Sequence, residues 1–244
     1  PLSRSGQRWE PVAGLSKAIR ADSPEDLRRL WGPLANGNVE VIVQEMIPGP
    51  ETMIESYHVY VDHTGAIAGE FTGKKIRTFP LENGQSTALL ISQQEDVAAL
   101  GREVTRLTGL RGVAKLDFKR APDGQLFLLE INPRFNLWHH PGALAGVNIP
   151  ALVYADLVGS PRPSAFRARS GVQWCSPWHD LYAVAALKIP RSRWIAWTLQ
   201  CEVKGSFAWY DPMPLLHGVF DQVAMSARRA LVGRRTHTPL STPG

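Results

Sequence analysis

The chain has 244 residues, 44% of them hydrophobic, enough for a sizeable core in one large domain or two small ones. Its 27 Lys and Arg against 22 Asp and Glu give a net charge of +5. Much of that excess sits at Arg228, Arg229, Arg234 and Arg235, the pattern of a solvated basic tail, which argues against a nucleic-acid groove. Cys175 and Cys201 show no CxxC spacing, no run reaches the roughly 18 apolar residues of a membrane span, and no signal-peptide pattern is visible, so a protein of a reducing, cytoplasmic compartment is expected.

Residues 3–14 are polar, contain Gly6 and Gly14, and read as a loop. Residues 16–20 read as a short strand. Ser23-Pro24-Glu25-Asp26 starts a helix that runs to about Trp31: serine at the N-cap, proline at the first position, acids in the first turn. Residues 39–46 read as a β-branched strand stopped by Pro48-Gly49-Pro50. Residues 52–61 and 66–75 read as strands of a meander joined at Asp62-His63-Thr64-Gly65. Residues 95–108 form the clearest amphipathic helix, with Val97, Leu100, Val104 and Leu107 on one stripe and Gly109 at its end.

Residues 113–118 and 125–131 then read as a hairpin across Pro122-Asp123-Gly124. Residues 141–157 read as partly helical. The composition shifts near Ser160-Pro161-Arg162-Pro163, and beyond it come Trp174, Trp178, Trp194, Trp197, Trp209 and Asp211-Pro-Met-Pro214. Strands and helices mix without a β-α-β rhythm, which predicts an α+β fold.

The hairpin carries the chemistry. Glu130 and Asn132, two apart, share a face of an extended strand, and pairing across the turn brings Asp117 beside them. Two carboxylates and an amide oxygen make a hard, oxygen-only site of the kind that takes Mg2+ with a nucleotide phosphate. The plain alternative is acids at strand ends that simply face water. By alternation Lys115 and Asp117 share a face, and Lys75 and Arg77 share a face opposite Lys74.

The ordered set Gln44-Glu45-Met46-Ile47-Pro48-Gly49-Pro50-Glu51, then a meander with basic residues, then a helix, then Asp117 followed by Leu129-Glu130-Ile131-Asn132-Pro133-Arg134, resembles the ATP-grasp superfamily over about residues 1–160. Within it the likeness is to ATP-dependent carboxylate–amine ligases, or carboligases. The resemblance implies a mostly antiparallel sheet with packed helices. It implies a partial small subdomain at 1–43, a large subdomain at 44–160 and a Trp/Pro-rich appendage at 161–244.

It further implies that the backbone of Gln44, Glu45, Met46 and Ile47 clasps adenine, that Glu51 binds the ribose hydroxyls, and that Lys17, Lys75 and Arg77 contact phosphates. Asp117, Glu130 and Asn132 would then be the metal ligands, with Lys115 and Arg134 stabilising the transferring group. The cofactors implied are ATP and Mg2+, with Mn2+ as a substitute. The partners implied are a small carboxylate and an amine, with neither nucleic acid nor membrane, and a homo-oligomer is compatible.

The chain departs from the pattern at its start. Pro1 stands directly after the place of the family's phosphate lysine, and the lid-like loop at 3–14 carries bulky Arg8, Trp9 and Pro11, so a fragment of a longer ligase is expected. His139-His140 reads either as a substrate contact or as a pair capping a following helix. Cys175 and Cys201 read as small buried residues. The competing functions are a carbamoyl-phosphate or biotin-carboxylase type of ATP-grasp reaction, a nucleotide-binding module without catalysis, and a plain structural domain.

Overall fold

The structure is a computed structural model that describes residues 18–36, 40–164, 167–205, 211, 213 and 217. The expected loop at 3–14, Lys17 and the basic tail lie outside the described residues. Helix α1 (Pro24–Asn36) starts where the sequence places it: the Ser23 hydroxyl accepts from the Asp26 backbone N–H at 3.1 Å and donates to the Asp26 carboxylate at 2.9 Å. It runs past Trp31 and through Pro33. Residues 40–50 form no strand, which corrects the expected one at 39–46. Ile42 and Val43 lie exposed there, and β-branched residues make a strand only where a partner and a core receive them. The described residues of the expected strand at 16–20 are likewise irregular.

A 3-10 turn at Glu51–Met53 leads into β1 (Ile54–Val61), followed by β2 (Ile67–Phe79) and β3 (Gln85–Ser92); the sequence reading did not single out β3. Helix α2 (Glu95–Leu107) crosses to β4 (Gly112–Arg120), and β5 (Leu126–Asn132) closes the hairpin. Its turn holds Gly124 at φ 91, where a side chain would be strained, and Ala121 N–H donates to the Gln125 carbonyl at 2.8 Å. Helices α3 (His139–Leu144) and α4 (Ile149–Val158) follow, then β6 (Gln173–Cys175), α5 (Pro177–Ala186), α6 (Arg191–Gln200) and β7 (Val203–Lys204). One sheet results, ordered β5-β4-β1-β2-β3-β6-β7, antiparallel except for the β6–β7 pair. This is the α+β architecture expected.

The sheet buries both faces. On one, α2 packs Val97 and Ala98 against Tyr57, Val59, Ala114, Leu116 and Phe118. Leu100 and Val104 are partly buried there, while Leu107, expected on the same stripe, is exposed because it lies in the last turn beyond the sheet. On the other face Tyr60, Phe71, Leu89 and Ile91 meet Trp138, Val147, Ile149, Leu152 and Trp174. Gly73 has a packing reason: a Cβ there would come within 2.6 Å of the Trp138 ring, so glycine lets the indole lie on the sheet. Among the described residues no helix is long and apolar enough to cross a membrane.

Candidate nucleotide and metal site

Two cross-strand rows on the Trp138 face build the site. In the first, Ser56 of β1 stands between Gly73 of β2 and Asp117 of β4, and Asp117 faces Glu130 of β5. In the second, His58 stands between Phe71 and Lys115, and Lys115 faces Asn132. Directly opposed residues have neighbouring Cβ atoms, so Asp117, Glu130, Asn132 and Lys115 form one four-cornered patch. A register shift between Asp117 and Phe118 leaves Leu129 as an extra residue in β5, and Glu130 opposes Asp117 across it.

The polar contacts fill this patch. The Lys115 ammonium lies 2.6 Å from Asp117 Oδ2, and the Ser56 hydroxyl donates to Asp117 Oδ1. Asn132 Nδ2 donates to Glu130 Oε1 at 2.9 Å, which leaves the amide oxygen uncommitted. Asp117 is buried and Glu130 is open to solvent. Lys75 of β2 ion-pairs with Glu51 of the 3-10 turn at 3.6 Å, and both side chains are largely covered. Burial holds the Lys75 ammonium below the usual lysine range. The nearby Asp117 and Glu51 carboxylates pull it back, and Lys115 repels it, so all four groups share one electrostatic neighbourhood.

Arg77 lies elsewhere, because register shifts around Ile76 break the alternation that would group it with Lys75. Its guanidinium makes a bidentate pair with Asp180 of α5 (2.9 and 2.7 Å) and lies 4.0 Å over the Trp197 ring. Asp180 is fully buried and also accepts from Thr87 Oγ1 at 2.7 Å and Trp194 Nε1 at 2.9 Å. The expectation that Lys75 and Arg77 share a face is therefore corrected. Arg134 follows the hairpin with its side chain exposed. Of the Gln44–Ile47 segment only Ile47 is buried; Gln44, Glu45 and Met46 face solvent, and their backbone groups enter no strand pairing.

Behind Lys115 lies an aromatic wall that sequence reading only half anticipated. His58, fully buried, stacks on Phe71 (centroids 4.4 Å apart, planes 8° apart), and His139 stands 6.0 Å from it, edge on. Burial, reinforced by the Lys115 charge, pushes His58 well below the usual imidazole value, and burial lowers His139 to about 4. His139 begins α3, buried, while His140 faces solvent. The only sequence cue to His58 was its place on an apolar strand.

Among the described residues no three His, Cys, Asp or Glu side chains gather to hold a metal. The patch instead offers two carboxylates and one amide oxygen. That donor set fits Mg2+, which typically takes one or two carboxylates and completes its shell with water and substrate phosphate. Lys115 already places one positive charge against Asp117, so the patch balances cationic charge in its present form.

A family profile described as "ATP-grasp in the biosynthetic pathway with Ter operon" matches residues 38–176, more than half of the chain and every candidate site position but Lys17. A comparison with curated proteins finds no match. Among solved structures, the chain is similar to N5-carboxyaminoimidazole ribonucleotide synthetase in complex with ADP, at 14% identity and TM-score 0.47, covering 62% of this chain and 40% of that one. It is also similar to biotin carboxylase from Campylobacter jejuni (15% identity, TM-score 0.43, covering 53% and 30%). A third likeness is to D-alanine–D-alanine ligase from Coxiella burnetii (15% identity, TM-score 0.34, covering 46% and 29%). The chain thus spans less than half the length of these structures.

Proposed function

The chain belongs to the ATP-grasp family, and on that premise we propose that it takes part in ATP-dependent activation of a carboxylate as an acyl phosphate, followed by amide formation with an amine. The observation that carries the proposal is the patch in which Asp117 faces Glu130, Lys115 faces Asn132, and the Asn132 oxygen stays free. Asp117, Glu130 and Asn132 would hold Mg2+, which when bound neutralises phosphate charge.

The rest is positioning and electrostatics by the chain's own groups. The uncommitted backbone of Gln44–Ile47 offers carbonyl and N–H groups to an adenine edge, and half-exposed Met46 offers it an apolar surface. Glu51 would accept from ribose hydroxyls while its ion pair with Lys75 keeps that ammonium nearby for the phosphates. Lys115, which pairs with Asp117 in this structure, would meet the oxygens of the transferring γ-phosphoryl group once that pair opens. Exposed Arg134 supplies a planar fork for a phosphate or carboxylate.

A substrate carboxylate oxygen attacks the γ-phosphorus as its bond to the ADP oxygen breaks. The amine then attacks the acyl carbon, phosphate departs, and the amine nitrogen loses its proton. The nonpolar wall of Trp138 and Phe71 shields that acyl phosphate from water on the sheet side. Arg77, committed to Asp180, has no part in this reading.

Isothermal titration with a non-hydrolysable ATP analogue tests it. Binding should require Mg2+ and weaken by about tenfold or more in Asp117→Asn and Glu130→Gln, the loss of one charge-assisted contact. Equal binding with and without Mg2+, unchanged in both variants, would refute the site.

A further inference from the structure

Lys119 is an anomaly among the buried charges. Among the described residues Glu55, Asp62, Asp117 and Asp180 are buried and each has an ion-pair partner: Arg120, Arg162, Lys115 and Arg77. Lys119 is only 8% exposed, and its side chain has no ion pair or hydrogen bond among the described residues. Its stem is covered by the sheet while its charged tip stays in contact with solvent, so the ammonium is held at the surface of this face with no counter-charge from the described residues. That contact with solvent leaves the ammonium open to an incoming group.

Its place in the sheet says which group. Lys119 lies two residues beyond Asp117 on β4, on the same face, and pairs across with Ile54, the residue that follows the Glu51–Met53 turn. Continuing the register Glu55 to Lys74 by one residue puts Lys75 beside Ile54 on its other side. Lys75 and Lys119 thus flank one row, one step outward from the Asp117–Glu130 row. Lys75 is partly neutralised by Glu51, and Lys119 by no described residue.

On the reading proposed above, Glu51 takes the ribose and Asp117 marks the metal-bridged outer phosphates, so the row between them meets the phosphate attached to the ribose. We propose that Lys119 is a nucleotide-binding residue whose ammonium pairs with the α-phosphate. The inference rests on that nucleotide reading and adds a contact to it.

The test is binding of adenosine, AMP, ADP and a non-hydrolysable ATP analogue, with Mg2+, to the wild-type chain, Lys119→Met and Lys119→Arg. Lys119→Met should weaken the three phosphorylated ligands by a common factor of about ten to a hundred, the range of one charge-assisted contact, and leave adenosine unchanged. Lys119→Arg should restore most of the affinity. The thermal midpoint of ligand-free Lys119→Met should stay close to that of wild type, since the buried stem is replaced by an apolar chain of similar length and the solvated ammonium has no partner to lose.

Unchanged affinity in a folded Lys119→Met variant would overturn the assignment alone, and so would a loss shared equally by adenosine. Failure of the wild type to bind any of the four ligands would bring down the nucleotide reading and this contact together.

Discussion

Lys75 and Arg77 are two residues apart on β2, and they live in opposite kinds of surroundings. Lys75 has one partner at 3.6 Å and an ammonium strained by burial. Arg77 has a bidentate carboxylate, an indole face and a hub aspartate that also binds Thr87 and Trp194. One region is electrostatically unfinished, and the other is complete. A completed network specifies and rigidifies a fold, whereas an unfinished one is what a charged ligand completes. The β2–α5–α6 corner is therefore read as structure, and the β1–β4–β5 face as the place of chemistry.

The sharpest way to break the contrast is Asp180→Asn. It strips a fully buried hub and leaves the Arg77 guanidinium without a counter-charge, so unfolding free energy should fall by about 3–5 kcal/mol in denaturant titration. The residual folded protein should bind nucleotide as before. A loss below about 1 kcal/mol would mean that the corner is not the anchor it looks to be.

Next in size is the response to acid. His58 and His139 are held neutral in the folded state, at values below the ordinary 6.5, with His139 at about 4. Unfolded histidine takes up its proton first as pH falls. Stability should thus be full above pH 6.5 and decline between 6.5 and 4, by up to about 1.4 kcal/mol per pH unit for each histidine. Denaturant titrations from pH 8 to pH 5 check the slope, and His139→Phe should remove part of it. A slope unchanged by that variant would assign the acid sensitivity elsewhere.

The smallest expected effect on stability is at the candidate site. Asp117→Asn breaks the Lys115 pair and costs about 1–3 kcal/mol, less than at Asp180 because Asp117 holds one ammonium and one hydroxyl whereas Asp180 holds a bidentate guanidinium, a hydroxyl and an indole N–H, while Mg2+-dependent nucleotide binding falls steeply. A stability loss as large as that of Asp180→Asn would erase the distinction between the two regions.

The sequence was most legible where structure is local. Alternation across Pro122-Asp123-Gly124 fixed the hairpin, and period-two spacing foresaw that Glu130 and Asn132 share a face. The helix at 95–107 was visible from its stripe, though Leu107 overran the sheet that gives the stripe its purpose. Strand β3 carries no clear local mark, and the apolar residues at 39–46 carry the pattern of a strand without forming one, because strand formation depends on a neighbour that no local pattern names. The Leu89–Trp174 pairing of β3 with β6 joins residues 85 apart. Alternation groups Arg77 with Lys75 because it carries no mark of the shift around Ile76. Nothing near Asp180 pointed to Arg77: an acid in the first turn of a helix reads as a favourable dipole contact, and its partner lies 103 residues earlier. Nothing in the local pattern sets Lys119 apart from any strand lysine, because its covered stem and lack of a side-chain partner among the described residues arise from the sheet around it.

The most direct test of the central claim is to locate the metal. Crystals grown with Mn2+ and a non-hydrolysable ATP analogue would show the ion by its anomalous signal. The account predicts a peak coordinated by oxygens of Asp117, Glu130 and Asn132, with the Lys115 ammonium displaced from Asp117 onto phosphate. A nucleotide-bound peak held by other side chains, with the Lys115–Asp117 pair intact, would contradict it.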